Sequence, residues 1–250
     1  MNQSLLNYVL SIADSSLILG QRLGEWCGHG PILEQDIAMT NISLDNVGRA
    51  RLLYQYATEI EGLGKTEDDL AFLREEMEFK NLLLTEHRNI DFGYTVARQF
   101  LLDAFFVPFF TLLSTSRDER LTHIAQKSLK ESQYHYRWSS EWIIRLGDGT
   151  EESHNRIQNA VNGLWEFTGE MFIPTDYELQ LMEAHVIPKL EEIKSIWDQS
   201  INSVLSEAKI NRPKDTWFQK GGKTGQHTEQ LGFILADMQY LQRTYPGMEW

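Results

Sequence analysis

Residues 130–135 read Lys-Glu-Ser-Gln-Tyr-His, and Ser132-x-x-His135 has the i, i+3 spacing that puts two side chains on one helix face. With glutamate first, two helices of a four-helix bundle use that spacing to hold a pair of iron or manganese ions. The other two helices then add one carboxylate each. In such a site the carboxylates offset the cationic charge and the imidazoles add nitrogen ligands. Here a serine stands at the carboxylate position, with Glu131 beside it. The same spacing recurs in Leu-Asp-Asn-Val-Gly-Arg as Asn46-x-x-Arg49, with Asp45 adjacent. Asp103 lies inside the apolar run Phe-Leu-Leu-Asp-Ala-Phe-Phe, and a carboxylate in a buried helix needs a partner. A fourth position falls on Glu25 or Trp26, depending on register.

Arg49 bears most on the chemistry. A guanidinium has no lone pair to offer a metal and does not deprotonate in a protein. It would put fixed positive charge close to where a metal cation would sit, and the expectation is that it neutralises Asp103, Asp45 or Glu131 instead. Ser132 and Asn46, both uncharged, fit a site without a divalent ion. Three readings stand at this stage. The chain is a non-catalytic bundle with a degenerate site. It is an active di-iron or di-manganese oxidase using Glu25, Asp45, Asp103, Glu131 and His135 in a shifted register. Or it is a stand-alone helical protein that binds an acyl-CoA.

The elements that must position these residues are helices. Gly and Pro fall at a few places and leave long uninterrupted runs, and 42% of the 250 residues are hydrophobic. The spacing predicts helices over about 4–26, 31–61, 69–84, 94–113 and 118–146, then 151–172, 188–208 and 228–243. Pro108 is expected to kink the fourth of these. Residues 86–93 read as a loop, Gly62 and Gly64 as a stop, and Thr150 as a cap with Glu151 and Glu152 in the first turn. The fold class is all-α: one domain over 1–250, a four-helix bundle over about 4–147 with helices added over about 150–250.

Charge and special residues exclude several classes. The formal net charge of −13 argues against binding to a nucleic-acid backbone. The single cysteine, Cys27, rules out an intrachain disulfide and any multi-cysteine metal site. The N-terminus lacks the basic residues of a signal peptide, and the run Phe100–Leu113 is too short to span a bilayer and carries Asp103, so a membrane is not expected. Gly24-Glu-Trp-Cys-Gly-His29 reads as a helix end with a packed tryptophan. Lys220-Gly-Gly-Lys-Thr-Gly225 fails as a phosphate loop: Trp217 stands where the first glycine belongs and no strand precedes it. A flexible basic turn is expected there.

Taken in order, Gln21-Arg-Leu-Gly-Glu-Trp-Cys-Gly-His-Gly-Pro31, Ser43-Leu-Asp-Asn-Val-Gly-Arg-Ala-Arg51, the Asp103 run, the stretch 130–150 and the segments 220–232 and 238–247 resemble the non-catalytic, ferritin-like C components of the bacterial phenylacetyl-CoA epoxidases. These are the multicomponent ring-1,2-epoxidases of aerobic phenylacetate breakdown. The resemblance implies a ferritin-like fold and a structural role for a chain that lacks a metal centre and supports the ferritin-like catalytic member of the complex. It implies no cofactor in this chain, a di-iron centre in the partner, and NADPH, FAD and iron–sulfur chemistry in a separate reductase. It implies a cytoplasmic hetero-oligomer. It also implies that Glu78, Phe79, Lys80 and Asn81, and a second segment of Leu179, Gln180 and Leu181, lie toward the CoA thioester of phenylacetyl-CoA. From the residues alone, 78–81 reads as a solvated helix face with one buried phenylalanine.

Overall fold

The computed structural model describes residues 2–248, and its regular elements are helices. In chain order they are α1 (Asn2–Gly24), α2 (Leu33–Glu61), α3 (Glu67–Phe72), α4 (Phe92–Leu113), α5 (Glu119–Gly147), α6 (Glu151–Leu164), α7 (Asp176–Glu183), α8 (Leu190–Glu207) and α9 (Glu229–Thr244). Short 3-10 turns occupy Glu76–Glu78, Leu83–Glu86, Trp165–Phe167, Gly169–Phe172 and Gly222–Thr224. The all-α, ferritin-like class expected from the sequence is the one found. The chain divides into two compact units, Met1–His87 with Gly221–Trp250, and Arg88–Lys220.

In the first unit α1 and α2 pack along each other. Their approach is close at Gly20, where an added Cβ would stand 3.0 Å from Val47 Cγ2, and Ser43 Oγ donates to the Gly20 carbonyl at 2.7 Å. Gly62, at φ 67°, ends α2 in the left-handed conformation that glycine adopts without steric cost. Thr66 then starts α3 with a capping box, its hydroxyl taking the Asp69 N–H while the Asp69 carboxylate takes the Thr66 N–H.

The helix expected over 69–84 does not form as one piece. Asp14 of α1 accepts the Lys80 N–H at 2.8 Å and Ser15 Oγ accepts the Leu82 N–H at 3.0 Å. Those side chains divert main-chain donors that a continuous helix would use internally, so the segment runs as α3, two 3-10 turns and extended links. Residues 220–225 also differ from the expected flexible turn. Gly222 and Lys223 are buried, and a Cβ on Gly222 would lie 2.2 Å from the Asn81 carbonyl oxygen. The turn is packed tightly enough to require glycine.

In the second unit α4 and α5 form the long pair, joined by α6 and α8. Side-chain caps fix the starts: Asp91 accepts from the Tyr94 N–H at 2.7 Å, Asp118 from Leu121 at 2.9 Å and Thr150 from Ser153 at 3.2 Å. Helix α4 continues through Pro108 to Leu113. At 22 residues it is long and apolar enough by composition to cross a membrane, unlike the shorter run considered above, but 83% of its most apolar window is buried within the protein. Phe105 packs on Phe109 and Phe172, and Trp197 of α8 donates from Nε1 to the Leu101 carbonyl at 3.0 Å. Sequence patterning did not anticipate α7. Thr175 starts it with a capping box to Glu178.

Candidate functional site

The positions that resemble metal ligands are taken unit by unit. In the first unit Glu25 lies beyond the end of α1, exposed, with its carboxylate 2.7 Å from Arg22 Nη1. Trp26 and Asp45 are half-buried. Asn46 and Arg49 are each 1% exposed on the inner face of α2. Asn46 donates back to the Ile42 carbonyl at 2.8 Å, and Arg49 Nη1 stands 3.4 Å from Asn46 Oδ1.

In the second unit α5 settles the register question posed by Glu131 and Ser132. Ser132 and His135 are buried, on the same stripe as Leu121, Ser128 and Ser139. Glu131 lies at the edge of that stripe, 4.0 Å from Lys127 Nζ. The side chain in the carboxylate register is therefore the serine. Asp103 on α4 is 1% exposed; its Oδ1 accepts from Gln99 Nε2 at 2.7 Å and its Oδ2 from Ser139 Oγ at 2.9 Å. Both of these donors are neutral side chains.

A bundle of this class implies a di-metal centre, and the residues present do not fit one. The two i, i+3 pairs needed are Glu-x-x-His, and this chain offers Asn46-x-x-Arg49 and Ser132-x-x-His135. Amide oxygen and serine hydroxyl bring no charge to offset divalent cations, and Arg49 adds charge of the wrong sign. Among the described residues no group of three His, Cys, Asp or Glu side chains converges to hold a metal ion. Cys27 and His29 sit in an exposed turn, where His29 Nδ1 contacts the Cys27 carbonyl at 3.1 Å.

The residues assigned to the CoA side are placed as follows. Glu78 is exposed, and its carboxylate accepts the Glu75 N–H at 2.7 Å. Phe79 is buried under the Arg74 guanidinium, 4.2 Å from its ring centroid. Lys80 is half-buried. Asn81 is fully buried and donates to Glu86 Oε1 at 2.8 Å. In the second unit Leu179 and Gln180 lie on the outer side of α7, and Leu181 is buried.

The first unit also holds a buried ionic network that the motifs above do not reveal. Asp14, fully buried in the middle of α1, takes both terminal nitrogens of Arg74: Nη2 at Oδ1 and Nη1 at Oδ2, the latter at 3.1 Å. Tyr54 donates its hydroxyl to Asp14 Oδ1 at 2.6 Å. Burial, and then the Asp14 charge, push the Tyr54 phenol well above its ordinary pKa. Burial works against the charge on Arg74, yet Asp14, Tyr54 and Glu78 together more than offset it, and the guanidinium is held more firmly protonated than usual. A second cluster joins Glu86 to His227 and Thr228. His227 Nδ1 lies 2.7 Å from Glu86 Oε1, and its Nε2 2.9 Å from the Phe79 carbonyl. Burial opposes the imidazolium, but Glu86, the Phe79 carbonyl and Asp14 together outweigh it and raise the His227 pKa above its ordinary value. One signal was legible: Asp14 stands in the apolar run Val9–Leu19 just as Asp103 does in its own.

Comparison with known proteins agrees with the resemblance drawn from the motifs. The family described as phenylacetic acid catabolic protein matches residues 1–250. The chain is also 46% identical over 250 residues, all of both sequences, to the C component of the 1,2-phenylacetyl-CoA epoxidase of Escherichia coli (strain K12).

Proposed function

Because the chain belongs to the phenylacetic acid catabolic protein family, we propose that it is a structural, non-catalytic subunit of a multicomponent phenylacetyl-CoA epoxidase in the cytoplasm. In this reading it supports a ferritin-like catalytic partner that carries the di-iron centre, while a separate reductase brings electrons from NADPH through FAD and an iron–sulfur cluster. This chain itself carries no cofactor. The observation that carries the reading is Arg49, buried on α2 beside Asn46 where a Glu-x-x-His pair would need its imidazole. A fixed cation at a ligand position abolishes metal affinity at that position whatever the other ligands do. Asn46 and Ser132 remove two carboxylates as well.

A chain without its own redox centre contributes to an oxygenase through its surface. Helix α2 offers a face for that. Leu33, Ile37, Leu44 and Val47 are exposed at 72%, 51%, 62% and 37%, and their spacing of 4, 7 and 3 lines them along one side. The helix has 29 residues, a length of about 44 Å at 1.5 Å per residue. The exposed ridge itself, from Leu33 to Val47, runs about 21 Å at 1.5 Å per residue and suits a helix of the catalytic partner. A stable complex should bury more than the roughly 1,200–2,000 Å² of a standard interface. Contact of this chain with the CoA thioester remains part of the proposal, with Lys80 as the residue for a phosphate.

The test is to purify this chain and its catalytic partner separately and together, then assay each with phenylacetyl-CoA, oxygen and one reductase. The chain alone should give no epoxide, and the partner alone should lose solubility or turnover. Full activity of the partner without this chain would refute the structural role. Turnover by this chain alone would refute the claim that its site is inert.

A further inference from the structure

The contacts of His227 fix its protonation state without reference to any titration. On one side the ring meets the Phe79 carbonyl, which can only accept a hydrogen bond. On the other it meets Glu86 Oε1. That carboxylate is saturated with donors. Oε1 also takes Asn81 Nδ2 at 2.8 Å, and Oε2 takes the Thr228 N–H at 2.9 Å and the Thr228 hydroxyl at 2.7 Å. The Thr228 oxygen also accepts the Gln230 N–H at 3.2 Å, which leaves its own proton for Glu86 Oε2, and a carboxylate accepts from every one of these groups. Glu86 is therefore an ionised acceptor, and His227 lies between two acceptors. Both ring nitrogens must carry protons, so the ring is an imidazolium, with side chains 1% and 0% exposed on the two partners.

The pair joins segments far apart in sequence. Glu86 closes the turn Leu83–Glu86, and its main-chain oxygen takes two bonds from Arg22 of α1, at 2.9 and 2.8 Å. His227 and Thr228 end the glycine turn and cap α9. We propose that Glu86 and His227 form a protonation-dependent latch that fastens the 221–228 turn and the first turn of α9 to residues 79–86. Loss of one His227 proton to solvent would set a nitrogen lone pair against Phe79 O or Glu86 Oε1, at the 2.9 and 2.7 Å of the present contacts, so one of them must open. The charged groups on the elements packed round the pair are Asp14 and Arg22 on α1, Arg74, Glu75, Glu76, Glu78 and Lys80 in the 73–82 segment, Lys223 on the same turn, and Glu229, Asp237 and Arg243 on α9. Asp14 favours the imidazolium, in the same direction as Glu86.

The latch is tested on the full chain by nitrogen-15 NMR of the histidine rings and by hydrogen exchange read as opening equilibria, with intrinsic exchange divided out. H227Q assigns the ring signal. Both His227 nitrogens should be protonated at neutral pH. Between the ordinary imidazole pKa of about 6.5 and the higher pH at which the ring of the folded chain titrates, the opening constant of the 221–228 amides and of the first turn of α9 should rise with pH, approaching about tenfold per pH unit, the slope of a single linked proton. In H227Q that slope should vanish. An unprotonated His227 nitrogen at neutral pH would overturn the proposal, as would a wild-type opening constant that does not change with pH. The second of those readings comes from the wild-type chain alone and holds even if H227Q fails to fold.

Discussion

Replacing Arg74 with alanine removes more than one contact. The guanidinium makes two bonds to the Asp14 carboxylate, donates from Nε to the Leu70 carbonyl at 2.6 Å and from Nη1 to the Glu78 carbonyl at 3.0 Å, and covers the Phe79 ring. With it gone, Asp14 keeps the Tyr54 hydroxyl and the Lys80 N–H but loses its counter-charge in a fully buried position. Breaking a buried pair from one side costs about 3–5 kcal/mol. That is a large share of the roughly 5–15 kcal/mol that holds a typical domain folded. The assay is urea unfolding of wild type, R74M, D14N and the double variant, followed by circular dichroism, with R74A alongside. R74A should lose about 3–5 kcal/mol. The D14N/R74M double variant should lose less than the sum of its singles, with a coupling of about 1–3 kcal/mol. Strictly additive singles, or an R74A loss below about 1 kcal/mol, would refute the view that this pair anchors residues 73–82 to α1.

Three further outcomes are expected. G169A places a Cβ 2.1 Å from Phe218 Cγ, so the ring must leave its seat; thermal unfolding should report a loss of about 1–3 kcal/mol, and limited proteolysis should cut faster within 211–220. T150A removes the N-cap of α6 and should cost about 1 kcal/mol in chemical unfolding, while T150D should restore most of it. His227 has a folded pKa raised above the unfolded value of about 6.5. The Glu86–His227 pair therefore contributes fully below that pH and is lost as pH rises through the folded value. Wild-type stability should fall across that window relative to its acid side, and H227Q should not show the fall.

Much of the helical frame was legible because its ends are set locally. Gly62, Asp118, Thr150 and Thr228 act within a few residues of themselves, and all four stop or start a helix where their chemistry says. The sequence leaves the register of α5 open, because Glu131 and Ser132 are adjacent; burial of Ser128, Ser132, His135 and Ser139 at 3- and 4-residue intervals puts Ser132 on the inner stripe and Glu131 at its edge. Contacts made across long sequence separations were not legible. Asp14 breaks the helix expected over 69–84 from more than sixty residues away, and Asn81 imposes glycine at 222. Helix α7 was hidden by its shortness, eight residues with a single strongly buried leucine at 181. Spacing marks only Ser132 and His135; Asn46 and Arg49 are picked out by setting 44–49 against a ligand pattern of this architecture, and Asp103 by its charge inside an apolar run, and all five are buried.

The central claim, that this chain is a metal-free structural member of its complex, is tested most directly by counting metal. The full-length chain is purified alone, incubated anaerobically with excess ferrous iron, desalted and analysed for iron, manganese and zinc per chain. The account predicts well under one metal per chain, with an R49H/S132E variant binding no less than wild type. About two iron atoms per wild-type chain, lost on substitution of His135, would contradict it.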